Sequence, residues 1–365
     1  MSKRRLSRLI GAVAALGIAA IATAGHPVQA QSLTKVRILM PVTQIDEAYA
    51  PFLIAQDMGY FKAEGLDVDV VPIAGSKQAL IQVAAGNGEV ATVSPAELMV
   101  GQQPPNNMQV QLFYDVYYKC IWSISVMPDS PIKSVAELKG KKIGVANMGS
   151  AGVTFGKAFL AKVGLKIPED AQYLPIGVGG QGATAMRTGA VAAAVYWDAM
   201  VTKMELAGFK LRPLPVDPII LSLPDISLGA RTDYIAKNPK VIAGVGRALA
   251  KGYVFNQANP EAAVRITWKR LPESKPANVP EAKALSSAIA VNQARMKIWS
   301  SADTGGKFGA FVPKDFQAVE TFAKEFNLLD AKAKVDMDRI YTQKFVPDFN
   351  KFDQAAIVAQ AKAWK

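Results

Sequence analysis

Histidine is almost absent from this sequence of 365 residues, which contains a single one, His26. His26 lies within the basic and apolar N-terminal segment at residues 1–30. The chain beyond residue 30 therefore has no histidine at all. Histidine is the commonest general base and the commonest metal ligand of proteins. Its absence argues against catalysis and against a metal centre, so we expect no catalytic residue, no metal and no cofactor.

Cysteine is equally scarce, with Cys120 as the only one. A single cysteine cannot form an internal disulfide, and the apolar and aromatic stretch at residues 112–122 predicts that Cys120 is a small buried side chain. Stability must then come from the hydrophobic core. The roughly 335 residues after residue 30 exceed the size at which one core stops growing, which predicts two lobes.

The N-terminus has the features of a secretory signal. Basic residues precede an apolar run at residues 9–24, and the small-residue site V-Q-A follows at residues 28–30. The run of about 16 residues is short for a membrane anchor, which needs roughly 20. The residues after the Arg4-Arg5 pair match twin-arginine export poorly, and no cysteine follows the cleavage site to carry a lipid. We therefore expect cleavage near Ala30 and a monomer in the periplasm.

The charge balance is basic. Removal of residues 1–30 takes away four of the 42 Lys and Arg residues and leaves 38 against 30 Asp and Glu, a formal charge of +8. The basic residues are scattered along the chain rather than clustered. This pattern favours solubility and mild steering of anions over binding to a polyanion, so we expect no nucleic-acid partner.

The chain after the signal segment opens with a predicted βαβαβ unit. Apolar and β-branched segments predict strands, and longer periodic segments closed by glycine predict helices. The predicted elements are strands at residues 35–40, 67–73 and 89–93, and helices at about residues 48–64, punctuated by Gly59, and from Ser76 to Ala85. This order indicates a parallel sheet.

The same order returns further along the chain. Strands are predicted at residues 142–146, 173–176 and 190–196, with glycine-containing loops before the helices that separate them. V-P-I at residues 71–73 corresponds to L-P-I at residues 174–176. An internal duplication of this size indicates two similar α/β lobes.

Two extended segments, at residues 117–125 and about 219–229, would link the lobes as a two-strand hinge. After Arg231 the pattern is mainly helical, and we expect these helices to pack on the first lobe. The predicted domains are a signal peptide at residues 1–30, lobe 1 at residues 31–121, lobe 2 at residues 122–222, and a return to lobe 1 with the C-terminal helices at residues 223–365.

Three segments resemble a known family. Residues 51–68 read P-F-L-I-A-Q-D-M-G-Y-F-K-A-E-G-L-D-V and resemble the first helix and second strand of the NMT1/THI5-like and nitrate/sulfonate/taurine (SsuA-like) binding proteins. Residues 134–145, S-V-A-E-L-K-G-K-K-I-G-V, are similar to the opening of that family's second lobe, and residues 341–353 to its C-terminal end. The resemblance covers nearly all of the chain after the signal segment.

The resemblance implies a type II periplasmic-binding fold, a solute clamped between two lobes, and delivery to an inner-membrane ABC permease. Members of the family bind sulfonates, taurine, nitrate, pyrimidine precursors of thiamine, riboflavin or aromatic acids, so fold alone does not choose the solute. We expect a small anionic or zwitterionic organic solute of the sulfonate or taurine type. A pyrimidine, a riboflavin-type ligand and an aromatic acid are the alternatives.

Candidate ligand-binding residues lie where strands end and helices begin, because ligands of parallel sheets lie beyond the carboxyl ends of the strands. They are Thr43, Tyr49, Ser76, Lys77, Ser94, Ser150, Ala151, Gly152, Gln181, Tyr196, Trp197 and Asp198.

Two predicted helix starts face the cleft with free N–H groups and positive dipole ends, which favours an anion. Ser76 and Lys77 begin one of these helices, and Ser150, Ala151 and Gly152 begin the other. Ser76 is also predicted to be the N-cap of its helix, a structural role that is compatible with ligand contact.

The strand that ends at residues 196–198 offers different chemistry. The family resemblance places ligand contacts at Tyr196, Trp197 and Asp198. Trp197 either stacks on a ring or a cation or packs between the lobes, and Asp198 would accept a hydrogen bond from an amine. Gln181 is a candidate donor in the glycine loop at residues 177–182, whose match to a nucleotide-binding pattern is a coincidence of spacing.

On lobe 1, Thr43 and Tyr49 flank the loop after the first strand, and Ser94 ends the third. The alternative to ligand contact for Tyr49 is that it is simply a surface residue.

An enzyme and a periplasmic sensor partner are the competing function classes. The scaffold also resembles pyrimidine-forming THI5-type enzymes and a desulfinase with cysteine and histidine in its site. This chain has no histidine after residue 30 and no cysteine cluster, so it lacks the residues that those chemistries need. A sensor partner fits the same sequence and differs only in the protein against which it docks.

Overall fold

The computed structural model describes residues 32–277, 279–300 and 302–365. The predicted signal peptide at residues 1–30 lies outside the described residues. Residues Leu33–Lys365 form one compact unit. Within the described part of the chain, none of the helices combines the length and the hydropathy that a membrane crossing requires.

The described residues form ten strands and sixteen α-helices, with short 3₁₀ turns at Glu47–Tyr49, Val135–Leu138, Pro272–Ser274 and Ala302–Thr304. The strands are β1 (Thr34–Met40), β2 (Leu66–Pro72), β3 (Val90–Val93), β4 (Val110–Tyr117), β5 (Trp122–Val126), β6 (Lys142–Val145), β7 (Gln172–Pro175), β8 (Ala193–Trp197), β9 (Arg212–Pro213) and β10 (Ile226–Arg231). The helices are α1 (Ala50–Asp57), α2 (Tyr60–Ala63), α3 (Ser76–Ala84), α4 (Pro95–Gly101), α5 (Ala151–Ala161), α6 (Gly180–Arg187), α7 (Asp198–Leu206), α8 (Pro218–Leu221), α9 (Thr232–Lys237), α10 (Pro239–Ala258), α11 (Pro260–Arg270), α12 (Glu281–Met296), α13 (Pro313–Glu325), α14 (Met337–Ile340), α15 (Val346–Phe349) and α16 (Gln354–Ala363).

These strands form two five-stranded mixed sheets with the same plan. The first has the order β2-β1-β3-β10-β4 and the second the order β7-β6-β8-β5-β9. In each, a central strand runs parallel to two neighbours, and a strand from a crossover pairs antiparallel to one of them. This confirms the prediction of two similar α/β lobes.

The internal duplication is visible in the strand register. Pro72 pairs with Met40 at the end of β1, and Pro175 pairs with Val145 at the end of β6. In both sheets the residue after the proline donates its N–H to that same last residue of the central strand, at 2.7 and 2.9 Å. The two proline motifs therefore end their strands at the same level, and the loops that follow begin at matching positions of the two lobes.

The chain crosses between the sheets at residues 118–121 and 214–225. The first crossover is extended, as predicted. The expectation of an extended second link is wrong in part, because Pro218–Leu221 forms the short helix α8, whose start is capped by the Asp217 carboxylate. The predicted lobe boundaries at residues 121/122 and 222/223 stay a prediction, since residues Leu33–Lys365 form a single compact unit.

One predicted helix is split in two. The segment at about residues 48–64 becomes α1 and α2, which are separated by Gly59 at φ +72°. A left-handed residue cannot continue a right-handed helix, and glycine adopts that conformation without strain.

The C-terminal helices pack on the first lobe, as predicted. The long helix α10 contacts α1, α2 and α16, and α11 also contacts α1. Helix α12 has a further role, because it packs both on the 3₁₀ turn Glu47–Tyr49 of the first lobe and on α7 of the second. This helix therefore bridges the two lobes.

Candidate functional site

A cavity of about 280 Å³ lies between the two lobes. It is lined by the loops that follow β1, β2, β6 and β7, by the end of β8, by Ile121 of the first crossover, and by the first residues of β5 and β10. This is the position that parallel sheets give to their ligands. Of the predicted site residues, the cavity brings together Thr43, Tyr49, Ser76, Ser150, Ala151, Gln181 and Trp197.

Two tryptophans form one wall of this cavity. Trp122 and Trp197 are register partners in β5 and β8, and their ring centroids lie 5.8 Å apart at an interplanar angle of 73°. Trp122 also stacks on Phe155, with centroids 6.5 Å apart and planes 18° from parallel. Trp122 was missed from the sequence, although it lies within the first predicted link at residues 117–125, and link residues necessarily border a cleft between lobes.

The two helix starts at the cavity are capped differently. Ser150 is the N-cap of α5, and its Oγ accepts a hydrogen bond from the N–H of Gly152 at 3.2 Å. The expectation that Ser76 caps α3 is wrong: Gly75 is the N-cap, and no side chain of the described residues caps that helix. The first N–H groups of α3 are therefore left for a ligand or water at the wall that Ala74 and Ser76 form.

Ser76 is turned inward instead. Its Oγ accepts a hydrogen bond from the N–H of Ser94 at 2.9 Å, and both residues are buried. Ser94 thus lies behind Ser76 and not on the cavity surface. Lys77 also does not line this cavity, since it lines a separate one of about 290 Å³ together with Glu97.

Two more predicted residues support the cavity from behind. The Tyr196 hydroxyl donates to the carbonyl of Gly177 at 2.7 Å and so fixes a loop that lines the cavity. Gly152 lies under the Trp122 ring, where a β-carbon would come within 2.6 Å of the ring edge. Both positions act on the shape of the site through a neighbour.

Asp198 points to a different partner from the one expected. Both of its carboxylate oxygens accept from Nε of Arg295 at 3.1 Å, and the guanidinium also lies 4.5 Å from the ring centre of Tyr117. Arg295 is completely buried in α12, whereas Asp198 begins α7. The carboxylate therefore joins the two lobes, and an amine contact with the solute does not fit this arrangement.

A second ion pair joins the lobes beside the first. Lys203 of α7 places its Nζ 2.6 Å from Asp46 and 3.6 Å from Glu47, which both follow β1. Burial raises the pKa of Glu47 above its usual value. Together with the Arg295 pair, this contact holds α7 against the first lobe.

Glycines form the contact between the lobes at the helix starts. Gly75 has φ +106°, and a β-carbon on it would lie 2.2 Å from the carbonyl oxygen of Gly149. The two turns therefore touch through backbone alone, which lets Ser76 and Ser150 line one cavity.

We expect Gly75→Ala to weaken solute binding by roughly tenfold, because overpacking of this contact costs about 1 to 3 kcal/mol and disfavours the approach of the two lobes that shapes the cavity. Gly65→Ala is the matched control, since Gly65 has φ +76° and nothing within 4 Å of its β-carbon position. Calorimetric titration of both variants measures the effect. Equal affinities in the two variants would contradict the closing role of Gly75.

The cavity is mostly apolar and carries no charged side chain among the described residues. Among the described residues, no Asp, Glu, Lys or Arg lines it; its polar side chains include Tyr49, Asn147 and Gln181. Burial raises the pKa of Tyr49 to about 12, so its hydroxyl stays neutral. In the described part of the chain, no three potential metal-ligating side chains cluster. The site can stack rings and form hydrogen bonds.

Two buried carboxyl groups lie near the cavity. Asp225 is completely buried, and burial raises its pKa to about 8. The pKa of Glu97 is raised by burial to about 7. Both groups are therefore protonated in the folded protein over a pH range in which an unfolded chain ionises them.

We expect the free energy of unfolding to fall as pH rises from 5 to 7, by up to about 1.4 kcal/mol per pH unit for each such group, because the unfolded chain then binds fewer protons; the contribution of Glu97 to the slope falls off as pH approaches 7. The contribution of Asp225 is fully present below a pH of about 4, its unfolded pKa, and is lost by about pH 8. Urea unfolding at several pH values measures the slope. Asp225→Asn should make the dependence of the unfolding free energy on pH shallower. Asp217→Asn, at the start of α8, should leave that dependence unchanged between pH 5 and 7. Equal slopes in the two variants would mean that Asp225 does not cause the pH dependence.

Two α/β sheets that enclose a cavity at the ends of their parallel strands define the class of periplasmic binding proteins. A family model described as "NMT1/THI5 like" matches residues 46–263, more than half of the chain. The chain belongs to the NMT1/THI5-like family.

Similar proteins are binding proteins for several solutes. The riboflavin-binding protein RibY of Chloroflexus aurantiacus is 25% identical over 313 residues, which cover 82% of each chain. The alkanesulfonate-binding protein SsuA of Xanthomonas axonopodis, bound to MOPS, is 16% identical, with a TM-score of 0.61 over 84% of this chain and 96% of that one. The nitrate-binding protein NrtA of Synechocystis is 14% identical, with a TM-score of 0.64 over 91% and 99%.

One solved structure of the same fold is an enzyme. DszB in complex with biphenyl-2-sulfinic acid is 14% identical, with a TM-score of 0.56 over 87% of this chain and 99% of that one. These structural likenesses show the fold alone.

Proposed function

We propose that this chain is the periplasmic solute-binding protein of an ABC importer and that its solute is a small aromatic anion, such as an aryl carboxylate or an aryl sulfonate. The observation that carries the proposal is the pairing of a tryptophan wall with an uncapped helix start in one uncharged cavity.

The tryptophan wall supports an aromatic group. Trp122 and Trp197 meet edge to face, which is a favourable arrangement for aromatic rings, and both line the cavity. A planar solute ring at this wall adds a third member to the cluster. Such ring contacts contribute about 0.5 to 1.5 kcal/mol each beyond the area that they bury.

The helix starts support one negative charge. The N-terminus of α3 has free N–H groups and a positive dipole end, and α5 begins at the facing wall. No basic side chain lines the cavity in the described residues, so the anion would be stabilised by hydrogen bonds from backbone N–H groups and hydroxyls. The excess of basic residues would steer anions toward the protein.

Of the sulfonate and taurine solutes expected from the sequence, taurine fits this cavity less well than an aryl sulfonate. A zwitterion such as taurine needs an acceptor for its ammonium group, and Asp198 is already bound to Arg295. No carboxylate of the described residues lines the cavity. An aryl sulfonate fits both walls, whereas taurine would leave its ammonium unpaired at a cost.

A binding role is favoured over catalysis by the cavity lining. Residues with hydroxyl or amide side chains, such as Thr43, Tyr49 and Gln181, line the cavity, without a general base beside a nucleophile in the described residues. We expect the monomeric protein to deliver its solute to an inner-membrane permease. Uptake by that permease in vesicles would separate the importer role from that of a sensor partner.

A thermal-shift screen of the mature protein tests the solute class. The panel pairs benzoate and benzenesulfonate with cyclohexanecarboxylate, benzyl alcohol, taurine, nitrate and riboflavin, so that ring and charge are varied separately. A ligand present at about 100 times its Kd stabilises the native state by about 2.7 kcal/mol. We expect the aromatic anions to raise Tm most; a shift with taurine or nitrate and none with the aromatic anions would overturn the proposal.

A further inference from the structure

Asp225 occupies the end of the second crossover, directly before β10, and is completely buried. Its backbone N–H donates to the carbonyl of Tyr117 at 3.0 Å. Tyr117 is the last residue of β4, from which the first crossover departs. The backbone of Asp225 thus joins the two crossovers on which any rotation of the lobes depends.

The side chain of Asp225 reaches the wall of the solute cavity. Its Oδ1 accepts a hydrogen bond from Nε1 of Trp122 at 3.2 Å. Trp122 is 7% exposed, opens β5 and lines the cavity, so the bond runs from the hinge to the binding wall.

Among the described residues, Asp225 is the hydrogen-bond partner of the Trp122 indole, and this bond fixes the direction of the ring. Its other neighbours are Phe155, Trp197 and Gly152, which pack on its faces and edge without a hydrogen bond. Ring packing leaves the indole free to shift, whereas a buried indole N–H requires an acceptor in a fixed direction. Asp225 supplies that acceptor.

The cost of keeping this carboxyl indicates a function. Its second oxygen, Oδ2, has no hydrogen-bond partner within the described residues. A buried unpaired oxygen is expensive, and an apolar side chain at this place would avoid the cost.

The electrostatic surroundings of Asp225 are mixed. Glu97 of α4 and Asp198 of α7 disfavour a negative charge on it, and Arg295 of α12 favours one. The thiol of Cys120, in the first crossover, is also close enough for its ionisation to be disfavoured by Asp225. Burial is the largest influence and keeps the carboxyl neutral at pH 7, with its pKa raised to about 8.

We propose that Asp225 is a positioning residue for solute binding, which holds the Trp122 ring in its place at the cavity wall and ties that ring to both crossovers. This inference rests on the proposed function, since it assigns Trp122 to the solute. It predicts that the placement of the ring and the rotation of the lobes change together.

The test compares two replacements of Asp225 that differ in one property. Asp225→Asn keeps a carbonyl acceptor for the indole, whereas Asp225→Leu has a similar volume and no acceptor. We expect Asp225→Leu to weaken benzenesulfonate binding by roughly tenfold and Asp225→Asn to restore it to within about twofold of the unchanged protein. Asp217→Leu, on the same crossover but away from the cavity, is the control for a lost carboxylate, since Asp217 accepts from the N–H of Ile219 and pairs with Lys162.

Trp122→Phe provides the second half of the test, because it keeps a ring and removes the N–H. In that background Asp225→Leu should cost less than about twofold in affinity, since the bond that it breaks is already absent. An equal loss in both backgrounds would mean that Asp225 acts through the fold in general and would overturn the proposal.

A measurement without ligand separates this proposal from that of the solute class. The near-ultraviolet circular dichroism of Trp122, obtained by subtracting the Trp122→Phe spectrum, should persist in Asp225→Asn and collapse in Asp225→Leu. A persistent signal in Asp225→Leu refutes the positioning role whatever the solute is. Failure of the unchanged protein to bind any aromatic anion refutes the solute class, while the spectrum still decides on Asp225.

Discussion

Replacement of Trp197 by alanine is expected to weaken the binding of an aromatic anion by about 30-fold, or about 2 kcal/mol. The indole lines the cavity and meets Trp122 at 5.8 Å, so its removal takes away a contact surface and one member of the ring cluster. Calorimetric titration measures the change. The fold should persist, because Trp197 is only half-buried at the end of β8.

Trp364→Ala is the matched control for this prediction. Trp364 follows α16 near the C-terminus, is also partly exposed, and does not line the cavity. Its replacement should leave affinity unchanged. If Trp197→Ala bound the solute as tightly as Trp364→Ala does, Trp197 would have only a packing role between the lobes.

The largest loss of stability is expected from Arg295→Ala, at about 3 kcal/mol. This arginine is completely buried, pairs with Asp198 across the lobes and lies over the rings of Tyr117 and Tyr49. Its removal would leave the Asp198 carboxylate without its partner and an unfilled space beside the rings of Tyr117 and Tyr49. Urea unfolding measures the free energy.

Arg265→Ala is the corresponding surface control. Arg265 forms exposed pairs with Glu261 and Glu281, and such pairs contribute about 0 to 1 kcal/mol. An Arg295 variant no less stable than the Arg265 variant would show that the buried pair costs as much desolvation as it returns in attraction.

The architecture could be predicted because the signals that specify it are local and repeated. Short β-branched segments, glycine stops and the two proline motifs recur in both halves, and the structure places Pro72 and Pro175 at the same register. The element ends could not be fixed in this way. Gly59 divides a continuous apolar pattern, and α8 forms because Asp217 and Pro218 start a helix within a segment that composition alone marks as extended.

The site was predictable where a residue's position follows from its own strand or helix. Thr43, Ser150 and Trp197 line the cavity because each follows or ends a strand whose place in the sheet the pattern gives. Contacts between distant segments carry no such signal. Arg295 lies in the last turn of α12, and nothing near it in sequence marks the Asp198 carboxylate as its partner.

The meeting of Gly75 with Gly149 has a consequence for how specificity can change. Main-chain atoms set the distance between the two lobes at this contact. The side chains around the solute can therefore vary without changing that distance. A scaffold built in this manner can accept a new solute while it presents the same outer shape to whatever receives the loaded protein.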